Sequence, residues 1–256
     1  MKSELRKAYA RARSGSEDDF STVVRHYEAL VFGYFRIVAP DRLTESMNAT
    51  QQVFFRMWEE LGHSPRLSDF EQELVSQLIA RDWALISTPE DPRLAALAGL
   101  PARDRIIALA VEIGNWTIES AAKAFEVSRS VMERDLLRIR CDLIGVHFIN
   151  LTEDEKRVLR EVSTHLCRDL SKRQRQKIAE ATSRSRELRD FKSRCLEKRC
   201  EMVELWLDFR LSEEEREWLL GGVLGLVHRE KEKRGAMNPG GMRWLLPRRR
   251  KKTAVL

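Results

Sequence analysis

Residues 17–38 read EDDFSTVVRHYEALVFGYFRIV, and this stretch decides the class of the fold. Its apolar side chains recur every three or four residues, which is the spacing of one face of an α-helix. These side chains are Phe20, Val23, Val24, Tyr27, Leu30, Val31 and Tyr34. Pro40 follows, and proline cannot continue a helical hydrogen-bond ladder. The stretch therefore predicts an amphipathic helix that buries one face and ends before Pro40.

The helical pattern continues through most of the chain. Residues 87–93 read STPEDPR and interrupt it, because two prolines and two acidic residues favour a linker. Between Val146 and Leu220 there is neither glycine nor proline, so long helices are expected there. The other predicted helices cover residues 43–61, 67–87, 101–113, 117–125 and 128–144. The sequence therefore predicts an all-α protein.

The positions of the helix breaks divide the chain into five parts. Thr117 and Ser128 are good N-cap residues for two short helices that meet at Glu126–Val127, which is the pattern of a helix-turn-helix. The predicted parts are a helical bundle (1–87), a linker (88–100), the helix-turn-helix domain (101–146), a helical extension (147–234) and a basic flexible tail (235–256). We expect flexibility in the tail because it is cationic and contains glycine and proline.

The net charge of +6 is unevenly distributed along the 256 residues. Residues 1–150 carry 19 basic and 22 acidic side chains, whereas residues 151–256 carry 27 basic and 18 acidic side chains. The resulting net charges of −3 and +9 favour a contact between the two parts of the chain. Six cations between Arg243 and Lys252 are typical of a solubilising tail or of a non-specific phosphate anchor.

Several classes of protein conflict with the composition. No apolar run reaches about 18 residues, and the first residues contain no signal-peptide core, so we expect a cytoplasmic protein with no membrane partner. The five histidines are scattered and no nucleophile, P-loop or zinc-protease motif occurs, so we expect no catalytic residue, no cofactor and no enzyme. No C-x-x-C pair occurs among Cys141, Cys167, Cys195 and Cys200, which favours reduced thiols over a metal site or a disulfide.

Four motifs carry a resemblance to a known family. Residues 44–61 (TESMNATQQVFFRMWEEL) resemble the second conserved region of bacterial extracytoplasmic-function sigma factors, and residues 19–35 (DFSTVVRHYEALVFGYF) resemble the helix before it. Residues 100–110 (LPARDRIIALA) resemble the entry to the family's fourth region, and residues 116–140 (WTIESAAKAFEVSRSVMERDLLRIR) resemble its helix-turn-helix. The order and spacing of the motifs match the family over about residues 17–145.

The resemblance implies a transcription regulator that binds core RNA polymerase and promoter DNA. The first 87 residues would form a sigma region-two-like bundle, and the second helix of the helix-turn-helix would enter the major groove. The implied polymerase-binding residues are Asn48, Gln51, Gln52, Phe55 and Arg56. The implied DNA-binding residues are Ser128, Arg129, Ser130, Arg134, Arg138 and Arg140, which could reach phosphates or bases.

The chain also departs from the family pattern. Met47 and Asn48 stand where the family has an acidic pair, and residues 86–91 lack the usual basic cluster. Glu133 and Asp135 replace basic residues of the recognition helix, and an acid that faces phosphate weakens binding. These departures support an alternative, which is a degenerate sigma-like interaction module that binds polymerase or another protein without reading promoters.

The extension carries a second resemblance, to the anti-sigma domains that inhibit such factors. A Leu-Ser pair recurs at Leu170–Ser171 and at Leu211–Ser212, and in both places serine can cap the charged helix that follows. The positions that would hold zinc ligands are Ile178, Thr182 and Ser185, so no structural zinc is expected. We hypothesise that the extension packs on the sigma-like parts and covers their binding surfaces.

Overall fold

The computed structural model describes residues 2–81, 89–166 and 171–237, and all regular elements in these ranges are helices. The prediction of an all-α protein is therefore confirmed. The helices are α1 (Lys2–Arg13), α2 (Glu17–Val38), α3 (Leu43–Glu60), α4 (Leu67–Ala80), α5 (Pro92–Ala98), α6 (Ala102–Ala108), which continues as a π-helical turn (Leu109–Ile113), α7 (Ile118–Ala124), α8 (Arg129–Leu143), a 3₁₀ turn (Phe148–Asn150), α9 (Glu153–Leu166), α10 (Lys172–Arg184), α11 (Arg186–Phe209) and α12 (Glu213–Met237).

Helix α2 is the centre of the fold. Its bounds are those that the apolar spacing predicts, and Ser16 caps its first turn by accepting a hydrogen bond from the Asp19 backbone N–H. Phe20, Tyr27 and Tyr34 are fully buried along the helix. Helices α1, α3, α5, α6, α11 and α12 all contact α2. Burial of such large side chains, at about 1.5–3 kcal/mol each, is the main force that assembles these helices.

Residues 88–100 are predicted to be a linker, but they contain helix α5 (Pro92–Ala98). Asp91 accepts a hydrogen bond from the Arg93 backbone N–H, and Pro92 occupies the first helical position, so the sequence STPEDPR starts a helix. Leu94 and Leu97 are buried in the same core as α2. The third predicted helix is confirmed up to Ala80, and residues 82–88 lie outside the described ranges.

The part of the chain predicted as a helix-turn-helix packs directly on the N-terminal helices. Helix α7 contacts α4, and the Gln72 side-chain amide donates a hydrogen bond to the Lys123 carbonyl at 3.0 Å. The Tyr27 and Trp116 rings lie 6.2 Å apart with their planes nearly perpendicular. One apolar cluster contains residues of both parts, so the N-terminal helices and helices α7 and α8 share a core.

The extension has its own small core and also joins the main one. Leu137 and Cys141 of α8 pack with Val162 of α9, Ile178 of α10 and Phe191 of α11. The later part of α11 and helix α12 return to the main core through Met202, Leu205, Leu219, Leu220 and Val223. The C-terminal helices are therefore part of the folded body and do not project from it.

Helix α12 begins where the second Leu-Ser pair predicts a cap. The Ser212 hydroxyl accepts from the Glu215 backbone N–H at 3.2 Å, and the Glu215 carboxylate accepts from the Ser212 backbone N–H at 2.8 Å. Leu170, of the first pair, lies outside the described residues. Helix α12 continues to Met237 and so includes the first three residues of the predicted tail (235–256). The rest of the tail lies outside the described residues. Of the helices described, none combines the length and the apolarity that a membrane crossing requires.

Candidate partner-binding face and helix-turn-helix

Helix α3 places the predicted polymerase-binding residues on and beside its outer face. Its inner face is fixed in the core by Met47, Val53, Phe54 and Met57, which are fully buried. Positions on the opposite side of the helix point outward. Asn48, Gln52 and Arg56 are exposed, whereas Gln51 and Phe55 are half-buried. Arg56 forms an ion pair with Glu59 at 2.9 Å.

Helix α12 covers the edge of this face on which Gln51 lies. The Gln51 side-chain amide approaches the Trp218 carbonyl of α12 at 3.5 Å. Gly222 lies against the same side chain, and a Cβ atom at this position would come within 2.0 Å of the Gln51 amide nitrogen. Any larger residue at position 222 would therefore have to displace the Gln51 side chain from α12. Lys231 continues the contact, with its ammonium 5.0 Å from the centre of the Trp58 ring.

Ion pairs join the beginning of α12 to α2. Arg216 donates a hydrogen bond to the Glu28 carboxylate at 2.7 Å, and Glu28 is 7% exposed. Burial raises the pKa of Glu28, whereas the hydrogen bond and charge of Arg216 lower it. Arg25 lies 2.5 Å from Glu217 and 3.3 Å from Glu213, at the exposed end of the same interface.

A second set of ion pairs fixes the far end of α12. Glu17, in the first turn of α2, accepts hydrogen bonds from Lys231 at 2.5 Å and from His228 at 2.7 Å. The hydrogen bond from Lys231, followed by that from His228, lowers the pKa of Glu17. Three residues of α2 (Glu17, Arg25 and Glu28) therefore bind α12 along about three turns, beside the contacts of α12 with α3.

The predicted helix-turn-helix comprises α7, a short turn and α8. Thr117 and Ser128 cap the two helices, because their hydroxyls accept hydrogen bonds from the backbone N–H groups of Ser120 and Val131. Glu126 in the turn has φ of +55°, and the backbone N–H of Val127 bonds the Ala122 carbonyl at 2.9 Å. This is the left-handed C-terminal cap in which glycine is preferred.

We expect Glu126→Gly to raise the free energy of unfolding by about 1 kcal/mol, because a residue with a Cβ is strained at positive φ. Urea unfolding followed by circular dichroism measures the change. Glu119→Gly, in the first turn of α7, is the contrasting variant and should lower stability by about 1 kcal/mol. A loss of stability in the first variant would contradict the role assigned to the turn.

The predicted DNA-binding residues divide into two groups. Ser128, Arg129, Ser130 and Arg134 are exposed at the beginning of α8. Arg129 donates a hydrogen bond to Glu133 at 2.9 Å, so its charge is partly neutralised on the same helix. Lys123 of α7 is paired with an acid of its own helix in the same way, at 3.0 Å from Glu119. The exposed cations of this surface are therefore accompanied by nearby acids.

The second group, Arg138 and Arg140, points towards the protein and differs from the prediction of DNA contact. Arg138 donates a hydrogen bond to the buried Asp104 at 2.6 Å, and this bond raises the pKa of Arg138. Arg140 is 4% exposed and bonds Glu112 of the π-helical turn, with its Nε 2.8 Å from the carboxylate. Its guanidinium also bonds Ser163 of α9, at 2.8 Å from the hydroxyl. In this conformation Arg140 connects α8 to two neighbouring elements.

Asp135 also differs from the expectation that it would oppose phosphate. It is 8% exposed and accepts a hydrogen bond from Arg103 at 2.9 Å, so it faces α6 and not the solvent. Glu133 remains on the outer side of α8, paired with Arg129.

Sequence reasoning missed the residues through which α12 binds the bundle, namely Glu28, Arg216, Trp218 and Gly222. The Gly221–Gly222 pair was a usable signal, since glycines within a helix frequently mark a close approach to another element.

The comparisons with known proteins leave the family of the chain open. No protein-family model, curated protein or solved structure matches the chain. No group of three or more His, Cys, Asp or Glu side chains suited to a metal ion occurs within residues 2–81, 89–166 and 171–237. Any function must therefore be inferred from the residues and their geometry.

Proposed function

We propose that the chain is a sigma-factor-like transcription regulator that binds core RNA polymerase and promoter DNA, and that helix α12 holds it in an inactive state. The observation that carries the proposal is the position of α12, which lies along α3 and covers Gln51 of the predicted polymerase-binding face. The order of the sequence motifs supports the assignment of this face.

In the proposed inactive state, α12 competes with polymerase for one edge of α3. Asn48, Gln52 and Arg56 remain exposed beside it, so polymerase could form a first contact before α12 leaves. Because α12 belongs to the same chain, its effective concentration at α3 is high, and modest contacts suffice to hold it there. Displacement of α12 would expose Gln51 and Trp58 together.

In the proposed active state, the beginning of α8 reads the promoter. Ser128, Arg129, Ser130 and Arg134 are exposed there, and the first residues of a recognition helix are those that reach base edges in the major groove. Arg138 and Arg140 support the helix from its inner side, through Asp104 and Glu112.

A second candidate function is a sigma-like interaction module that binds polymerase or another protein without reading promoters. The pairing of the exposed cations favours it, because Arg129 and Lys123 each lie about 3 Å from an acid of the same helix. A surface whose charges are neutralised within the chain attracts phosphate less strongly.

The test compares two glycine variants of the full chain. Gly222→Glu inserts a long, charged side chain between α12 and α3, at the place that the Gln51 amide occupies, so the contact between the two helices should weaken. We expect the affinity for core RNA polymerase, measured by fluorescence anisotropy, to rise at least about tenfold. Transcription with core polymerase over a promoter library should appear or increase in parallel.

Gly221→Glu is the matched control, because nothing lies within 4 Å of a Cβ atom at position 221. It makes the same substitution in the same helix, so it should leave polymerase affinity at the wild-type value. Polymerase binding by Gly222→Glu without transcription from any promoter would favour the interaction module. If neither variant nor the wild type binds polymerase, the proposed function is rejected.

A further inference from the structure

Helix α11 carries an apolar row on the side that faces away from the core. Its members are Leu196, Cys200, Val203 and Leu207, and we refer to them as the α11 stripe. Cys200 is exposed, and the exposed fractions of Leu196, Val203 and Leu207 are 41%, 38% and 52%. The core side of the same helix is formed by Phe191, Cys195, Met202 and Leu205, which are buried.

The spacing of the stripe is that of a coiled-coil seam. Its members follow one another at intervals of four, three and four residues, so they occupy consecutive d, a, d and a positions of two heptads. Single exposed apolar residues are common on protein surfaces, but a row at this spacing presents a continuous seam about 16 Å long. Another helix could bury the whole stripe at once.

The charges beside the stripe indicate which helix fits. Glu197 and Glu204 occupy the e positions on one flank, whereas Lys192, Arg199 and the uncharged Trp206 occupy the g positions on the other. In a parallel pair of helices, a g residue meets the e residue five positions further along the second helix. In an antiparallel pair, e meets e and g meets g, and here that would bring like charges together.

We propose that the α11 stripe binds the α11 stripe of a second copy of this chain, with the two helices parallel and related by a two-fold axis. Lys192 then meets Glu197 of the second copy, and Cys200 faces Cys200 across the axis. Arg199 is already held by the Leu166 carbonyl at 3.0 Å and by Glu112 at 3.4 Å, so Lys192 and Glu197 carry the charge complementarity. The seam is short, so the dimer is weak and depends on concentration.

Sedimentation equilibrium of the full chain over about 1–500 µM tests the association. We expect a monomer–dimer equilibrium, with Leu196→Glu and Leu207→Glu each raising the dissociation constant at least about tenfold. Leu43→Glu is the matched control, because Leu43 has the same 41% exposure as Leu196 but lies on α3. Its dissociation constant should equal that of the wild type. A chain that stays monomeric, or a dimer that both stripe variants leave unchanged, overturns the proposal.

Disulfide cross-linking tests the parallel arrangement. Cys141 and Cys195 are buried, Cys200 is exposed and Cys167 lies outside the described residues, so the background variant is Cys167→Ser. Diamide should join the two copies through Cys200, as the reagent takes up the two electrons and two protons that the thiols lose. With Cys200→Ser added, the dimer should no longer be cross-linked.

A second cysteine position separates the two orientations. Leu207→Cys, introduced together with Cys200→Ser, should restore the cross-link if the helices are parallel, because equivalent a positions face each other. In an antiparallel pair centred on Cys200 the two positions would be about 21 Å apart, too far for a disulfide. Failure of this variant to cross-link, in a preparation that sediments as a dimer, overturns the parallel arrangement.

Discussion

Arg140→Ala is expected to lower the free energy of unfolding by about 3–5 kcal/mol, because it leaves a buried carboxylate without its main partner. Arg140 and Glu112 are both nearly inaccessible, with side-chain exposures of 5% each. Removal of the guanidinium leaves the Glu112 carboxylate buried, with Arg199 at 3.4 Å. It also removes the hydrogen bonds that connect α8 to Ser163 of α9. Urea unfolding, followed by circular dichroism, measures the loss.

Two controls separate burial from charge. Arg129→Ala removes an arginine of the same helix whose ion pair with Glu133 is exposed, and it should cost less than about 1 kcal/mol. The double variant Arg140→Met with Glu112→Leu should recover much of the lost stability, because it removes both buried charges together. If Arg140→Ala leaves stability unchanged but abolishes DNA binding, then Arg140 is a DNA contact and the buried arrangement is not the functional one.

Arg140 also shows how far the sequence predicts the candidate site. The pattern identifies α8 and its cap correctly, because apolar spacing and a serine N-cap are local signals. It does not separate arginines that point outward from those that point inward, since both are cationic residues of one helix. Arg140 is four residues after Leu136 and three after Leu137, which places it on the buried side of the helix. Its position relative to the leucines was the informative signal, and its charge was misleading.

The predicted linker illustrates a second limit. Prolines and acidic residues at 89–92 mark a break in the pattern, and a break of this kind is found both in a linker and at the start of a helix. The structure has Asp91 as a cap and Pro92 in the first turn, and the following leucines are buried against α2. Tertiary packing decides between a linker and the start of a helix, and the local sequence does not show how a segment packs against distant residues.

The docking of α12 is the least local feature, and the sequence predicts only its general form. Opposite net charges of the two parts of the chain favour a contact, but they do not specify its partners. The contact is made by residues of α2 and α12 that are 188 or more positions apart in the chain, such as Glu28 and Arg216. The periodicity of apolar residues identifies each of the two helices, but it does not determine where one helix lies relative to the other.

The second large effect concerns this docking. We expect Arg216→Ala to lower the free energy of unfolding by about 2 kcal/mol, because Glu28 stays buried after losing its charged hydrogen-bond donor. Hydrogen exchange should also accelerate along α12. Arg25→Ala is the matched control, since it removes another arginine between α2 and α12 whose partners, Glu213 and Glu217, are both exposed. Its effect should be below about 1 kcal/mol.

The dependence of this effect on pH identifies Glu28 as its cause. Burial already raises the pKa of Glu28 above the ordinary value of 4.5, and loss of Arg216 raises it further. The folded state then binds the Glu28 proton more tightly than the unfolded chain does. The stability that the protonated Glu28 side chain contributes is therefore complete below the pKa of Glu28 in the unfolded chain. It is lost as the pH rises through the higher pKa of Glu28 in the folded protein. The stability difference between wild type and Arg216→Ala should be smaller at about pH 5 than at about pH 7.5.

Glu28→Gln provides the final step of this test. Glutamine has the shape of glutamic acid but does not ionise, so combining it with Arg216→Ala should remove the pH dependence and recover part of the lost stability. Glu28 and Arg216 form a contact in the interface of α2 with α12. Recovery of stability in the double variant should therefore be accompanied by slower hydrogen exchange in α12 than in Arg216→Ala alone. A penalty that stays constant with pH, or that persists in the double variant, would assign the effect to lost packing of the Arg216 stem and not to the charge of Glu28.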